Sequence, residues 1–260
     1  MATRKWVVWS TLAHAAVLDS LRRKDLAVAG ILSVLLVAGA SALGRFGVRG
    51  LELFLKDAAL TVIDLLGSVM TVLFATRQIP EELARRTVLP LLARPIGRGD
   101  FLIGKFLGAW TLSIAALGIF GAIVAGMAAC LGVSLGLVYV QYLLLKALAL
   151  GVLCAVSLSL SCWLTAPAAT TMALVLAIGT GTFGRALMQL EGSTHGFVRL
   201  TFRAAWLLLP QFNLFDLKEK VSYGWPPVAG WVVWALAGYG LVHATLWLWI
   251  AHARFRRQAL

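Results

Sequence analysis

Residues 106–145 read FLGAWTLSIAALGIFGAIVAGMAACLGVSLGLVYVQYLLL, a run without one Asp, Glu, Lys or Arg. A helix rises 1.5 Å per residue, and about 20 apolar residues cross a bilayer core, so the run holds two crossings. Gly132-Val-Ser-Leu-Gly136 lies between them and is the expected hairpin turn. A second charge-free stretch runs from Ala147 to Gly184, and Pro167 divides it by favouring a helix end before it and a restart after it. Leu26–Gly44 and Ala58–Thr76 are two further apolar segments, and Val228–Ala251 is the last. The fold expected from these runs is an all-α integral membrane protein of six spans, over 26–44, 58–76, 106–131, 137–163, 168–189 and 228–251.

Composition agrees. The 260 residues are 60% hydrophobic and 13% charged, about half the charged share of a soluble domain. Too few polar side chains remain to cover a water-facing surface. The net charge of +12 would suggest nucleic acid in a soluble protein, but here the basic residues flank apolar runs, which is the positive-inside pattern. Arg4, Lys5, Arg22, Arg23 and Lys24 precede the first span; Arg77, Arg85, Arg86, Arg94, Arg98 and Lys105 follow the second; Arg254, Arg256 and Arg257 end the chain. Six spans place these three groups on one side, so both termini are expected in the cytoplasm and the chain in a bacterial inner membrane. Cys130, Cys154 and Cys162 all lie in apolar segments without metal or disulfide spacing and are read as buried packing residues.

The N-terminal residues 1–25 have the basic start of a signal peptide. However, His14, Asp19 and Arg22-Arg23-Lys24 stand where a small-residue cleavage site would lie. Trp6, Trp9, Ala13, Val17 and Leu21 recur at helical spacing, which predicts an amphipathic helix in the membrane interface. Between spans two and three, residues 77–100 form a charged loop. Pro80 suits the first position of a helix, Glu81 and Glu82 suit its positive end, and Glu81–Arg85 and Glu82–Arg86 are acid-before-base pairs at i,i+4. A short charged cytoplasmic helix is expected there.

Gly99-Asp-Phe-Leu-Ile-Gly104-Lys105 has the spacing of a phosphate-binding loop. Such a loop follows a strand and carries Ser or Thr after the lysine to hold Mg²⁺. Here Phe106 follows, then a span, so the match is chance and no nucleotide is expected on this chain. Lys105 is read as an interfacial anchor with its ammonium at the headgroups.

The run EELARRTVLPLLARPIGRGDFLIGKFLGAW (81–110) resembles the permease subunits of type-2 ABC transporters, in which an acid-rich cytoplasmic helix leads into span three. Glu81, Glu82, Thr87, Leu91, Leu92, Arg94, Pro95, Arg98, Phe101, Leu102, Gly104 and Lys105 carry the likeness. The family often has Gly-Thr-Leu where this chain has Arg86-Thr87-Val88. The resemblance implies a coupling helix that docks on a separate ATP-binding subunit through Glu81, Glu82, Arg85, Arg86, Thr87, Arg94 and Arg98. It also implies two copies of that subunit, which hold the ATP and Mg²⁺, and a second permease chain, in a homodimer in preference to a heterodimer. Re-entrant helices within 190–227, before span six, follow from it as well. Its function would be ATP-driven export. Within the same fold, the alternative is transmission of ATP-driven motion to periplasmic partners. A secondary transporter or an integral membrane enzyme would need internal repeats or clustered catalytic side chains, and neither is evident.

Asp64 and Lys146 stand inside spans two and four, about 10 and 15 Å from the outer side. A charge there costs at least ~2.5–3.5 kcal/mol unless paired or hydrated. The two either line a translocation path or form a structural pair. Arg185, His243 and Gln141 are lesser candidates of the same kind. Within the outer loop, LLLPQFNLFDL (207–217) is apolar but too short to span, and is expected to dip into the interface.

Overall fold

The computed structural model describes residues 2–22, 30–31, 34–35, 39, 51–84, 97–130, 132–193 and 196–257. No strand occurs among them. The helices are α1 (Ala2–Arg22), α2 (Leu51–Ala84), α3 (Arg98–Cys130), α4 (Gly136–Ser161), α5 (Ala166–Ser193), α6 (Phe197–Leu208), α7 (Lys218–Ser222) and α8 (Gly230–Arg257), with a 3-10 turn at Phe212–Phe215. Among the described residues four helical stretches are long and apolar enough to cross a membrane: Leu53–Glu82, Arg98–Cys130, Gly136–Ser161 and Gly230–Arg257. The apolar part of α5, Ala166–Thr180, is shorter. Of the expected span 26–44, the structure describes residues 30, 31, 34, 35 and 39, and the rest lies outside the described residues.

The charge-free run folds as α3 and α4 with a turn at 132–135. Gly132 (φ 70°) and Gly136 (φ 66°) take the left-handed conformation that a side chain would strain. Pro167 sits in the first turn of α5, where its missing N–H costs nothing. α4 is the most enclosed helix: Leu145, Leu150, Leu153, Cys154 and Leu158 are all buried, against α2, α3, α5 and α8. Several hydroxyls inside the helices bond to their own backbone. Thr71, Thr76 and Ser113 each donate to the carbonyl four residues back, at 2.8 Å.

Three expectations change, at Pro80, along α1 and at Cys130. Pro80 does not begin a new helix: α2 passes through it to Ala84, so Glu81 and Glu82 stand in a continuing helix instead of at a positive N-terminal end. In a bundle, neighbouring groups can take over a backbone bond that proline removes. α3 starts at Arg98, so Gly99–Lys105 are helical and do not form a phosphate-cradling loop. α1 buries Leu12 and Ala16, a face rotated from the one expected, because these residues meet glycines of α3. Finally, Cys130 is exposed at the end of α3, while Cys154 and Cys162 are buried.

Candidate functional site

Both faces of the molecule that bear on function are built by sequence neighbours one or two helical turns apart. In α2, Thr61, Asp64 and Ser68 fall on one face at i, i+3 and i+7; in α4, Tyr142, Lys146 and Ala149 share a face at i, i+4 and i+7. The two faces meet. Lys146 Nζ donates to Asp64 and, at 3.2 Å, to Ser68 Oγ, and Tyr142 Oη donates to the Leu60 carbonyl at 3.3 Å. The pair lies ten residues, about 15 Å, from the start of α4. Pairing removes most of the penalty a lone charge would carry at that depth.

A cavity of about 320 Å³ opens beside this pair. Its polar groups are Thr61, Asp64, Ser68, Tyr142, Lys146, Asn213, Asp216 and Lys218, and Leu150, Leu153, Phe212 and Phe215 give it apolar walls. Asp216 and Lys218 belong to the segment after α6, which folds back onto the bundle: Phe215, Leu217 and Val221 are buried. Lys218 Nζ lies 3.4 Å from Asp64 Oδ2 and 3.4 Å from Asp216 Oδ2. Burial works against the Lys218 ammonium, but the two carboxylates outweigh it and raise its pKa above the ordinary lysine value. The sequence reading did not find Lys218. The charged run Asp216-Leu-Lys218-Glu-Lys220 after an apolar stretch was its only trace.

The opposite end of the bundle holds Arg98, Lys105 and Arg254. Arg98 Nη1 donates to the carbonyls of Phe255 (3.2 Å) and Arg256 (2.8 Å), so it caps the C-terminal end of α8. Phe101 and Phe255 stack with centroids 5.7 Å apart, and the Arg254 guanidinium lies 4.7 Å from the Trp163 ring centre. Trp9 Nε1 donates to Asp100 Oδ1 at 2.9 Å, tying α1 to the first turn of α3. Lys105 is 5% exposed, not at the headgroups as expected, and pairs with Glu82 across α2 and α3.

The expected coupling residues therefore divide. Glu81 and Glu82 stand near the end of α2 and Arg98 at the start of α3, and all three make contacts inside this chain. Arg85, Arg86, Thr87 and Arg94 lie outside the described residues. Asp64 and Lys146 are brought together. Gln141 holds the approach to α8, donating to the Val228 carbonyl at 3.0 Å and accepting its N–H at 2.8 Å. The ring nitrogens of His243 face the carbonyls of Tyr239 (3.1 Å) and Leu207 (3.2 Å). Among the described residues no group of three His, Cys, Asp or Glu is arranged to hold a metal ion.

Comparison with known proteins gives one family. Its sequence model, described as ABC-2 family transporter protein, matches residues 10–194, from within α1 to just beyond α5. Comparison with curated proteins finds no match.

Proposed function

The chain belongs to the ABC-2 transporter family, and we propose that it is a permease subunit whose polar cavity forms part of the translocation path. Membership makes it the multi-pass membrane subunit of an ABC transporter, which works with an ATP-binding subunit and a second permease chain. The proposed layout has six spans, with 26–44 and α5 added to the four long apolar stretches. Both termini and residues 77–97 then face the cytoplasm. The meeting of α1, the start of α3 and the end of α8 at one end of the bundle supports that layout. Two ATP-binding subunits hydrolyse ATP with Mg²⁺, this chain carries no catalysis, and the permeases pair as a homodimer. Export is the proposed direction, on the strength of the family likeness.

The observation that carries the path reading is the paired charge at mid-helix depth beside an open cavity. A pair serving only to pack helices has no need of a cavity, whereas intramembrane ionisable groups recur along substrate pathways.

Residues 81–98 are proposed to contact the ATPase, but Glu82 already has a partner in Lys105. The two roles separate by mutation. Glu81→Lys is expected to weaken binding of the ATP-binding subunit, measured by co-purification. Glu82→Lys is expected to destabilise the α2–α3 contact, and adding Lys105→Glu should restore thermal stability without restoring subunit binding. Normal ATPase binding in both Glu81→Lys and the double variant would remove these acids from the coupling surface.

A further inference from the structure

The charges around the cavity cancel. Among the described residues that line it, the ionised side chains are two carboxylates, Asp64 and Asp216, and two ammoniums, Lys146 and Lys218. A ligand with a net charge would leave that charge unbalanced inside the membrane, where an unpaired ion is costly. The lining therefore selects a ligand whose own charges sum to zero.

Two kinds of neutral ligand fit that condition, one without ions and one with an ion of each sign. The geometry favours the second. Lys146 is committed: it donates to Asp64 Oδ1 and to Ser68, and its side chain is 11% exposed. Lys218 is held more loosely. Its Nζ stands 3.4 Å from Asp64 Oδ2 and 3.4 Å from Asp216 Oδ2, longer than the about 2.7–2.9 Å of a strong charge-assisted bond. The side chains of Asp64 and Asp216 are 37% and 40% exposed. An ammonium in the place of the Lys218 Nζ reaches both carboxylates, and an anion on the same molecule takes the Lys218 ammonium that it turns aside. Every ion then has a partner of opposite sign before and after the exchange. A cation alone would strand Lys218, and an anion alone would strand a carboxylate. The volume of about 320 Å³ is at the lower end of the ~300–1,000 Å³ of small-molecule sites, the scale of a dipeptide and not of a polymer. Leu150, Leu153, Phe212 and Phe215 offer an apolar body its contacts.

We propose that the substrate is a small zwitterion, a primary ammonium and an anion on one apolar body. The ammonium lies between Asp64 and Asp216, and the anion lies on Lys218. This inference rests on the reading that the cavity belongs to the translocation path.

Titration calorimetry on the purified complex tests it with leucyl-leucine and three blocked forms. These are leucyl-leucinamide, a cation; N-acetyl-leucyl-leucine, an anion; and N-acetyl-leucyl-leucinamide, which is uncharged. Leucyl-leucine should bind at least about tenfold more tightly than each, since every blocked form loses an ionic contact. Lys218→Gln gives the lining a net negative charge and should move the preference to the cation. Asp216→Asn makes it positive and should move the preference to the anion. Lys218→Arg should keep the parent order. An exchange of preference cannot come from damage to the fold. Glycerophosphoethanolamine, also a zwitterion, separates two sources of the chemistry: tighter binding than leucyl-leucine assigns a lipid headgroup, and weaker binding a free solute. Equal binding of all four dipeptide forms, binding of none, or no exchange in the variants overturns the zwitterion and leaves the path reading intact. The predicted preference without ATP-dependent accumulation of leucyl-leucine in vesicles of either orientation overturns the path reading, and the substrate assignment falls with it.

Discussion

Lys146→Met is expected to cut transport by at least about tenfold while the complex still assembles. The substitution keeps the length and apolar stem of the side chain, so the packing of α4 against α2 is largely retained. What it removes is the ammonium that Asp64 and Ser68 share. Asp64 then keeps the Lys218 contact at 3.4 Å as its cationic partner in the cavity. A charge at this depth costs at least ~2.5–3.5 kcal/mol when unpaired, and a tenfold change needs only about 1.4 kcal/mol. With the nearer of its two cations gone, Asp64 is left a poorly neutralised charge beside the cavity, so passage along the path should slow. Transport and ATP-stimulated turnover in proteoliposomes, beside the yield of intact complex, separate the roles. Loss of the complex itself would make the Asp64–Lys146 pair a packing device and not part of the path.

The second large effect is expected at Gly108→Leu. α3 carries Gly104 and Gly108 one turn apart against α1, the small-xxx-small spacing that lets helices approach closely in lipid. A Cβ on Gly108 would lie 2.7 Å from the Ala16 Cβ and 3.2 Å from Ala13 backbone atoms, and one on Gly104 would lie 2.7 Å from the Leu12 Cβ. Backbone atoms cannot turn aside as a flexible side chain can. Overpacking of this kind costs about 1–3 kcal/mol, so the apparent Tm should fall by several degrees, at roughly 2–4 °C per kcal/mol. Gly118→Leu on the same helix is the control. Nothing lies within 4 Å of a Cβ there, and its Tm should not move. A Gly108→Leu protein as stable as the parent would mean that α1 does not pack on α3 as described. The Trp9–Asp100 bond should loosen with it.

The parts of this architecture that sequence revealed are those where lipid forbids ambiguity. A charge-free run of forty residues has to cross twice, and the glycines that bend it are where the positive φ angles occur. Asp64 and Lys146 stood out because ions are rare in apolar helices. Lys218 did not, since a lysine in a loop is ordinary until the fold carries it beside Asp64. Glu82 was matched to Arg86 by the i,i+4 rule. In the structure Glu82 pairs with Lys105, 23 residues away, through contact of two long helices that no local rule encodes. Pro80 misled for a related reason. Its preference for helix starts is a local bias, and the bundle carries α2 through it. Gly104 was visible as part of a G-x-x-x-x-G-K spacing, yet its use is the close approach of α1, a partner eighty or more residues earlier.

The central claim is that this chain is the membrane half of an ATP-driven machine. Isolation from native membranes in mild detergent, followed by identification of every stoichiometric partner, tests it most directly. The account predicts a particle with two permease chains and two copies of a soluble subunit bearing a full phosphate-loop motif, and ATP hydrolysis in the eluate. A stable, monodisperse particle that repeatedly lacks any nucleotide-binding subunit would contradict it.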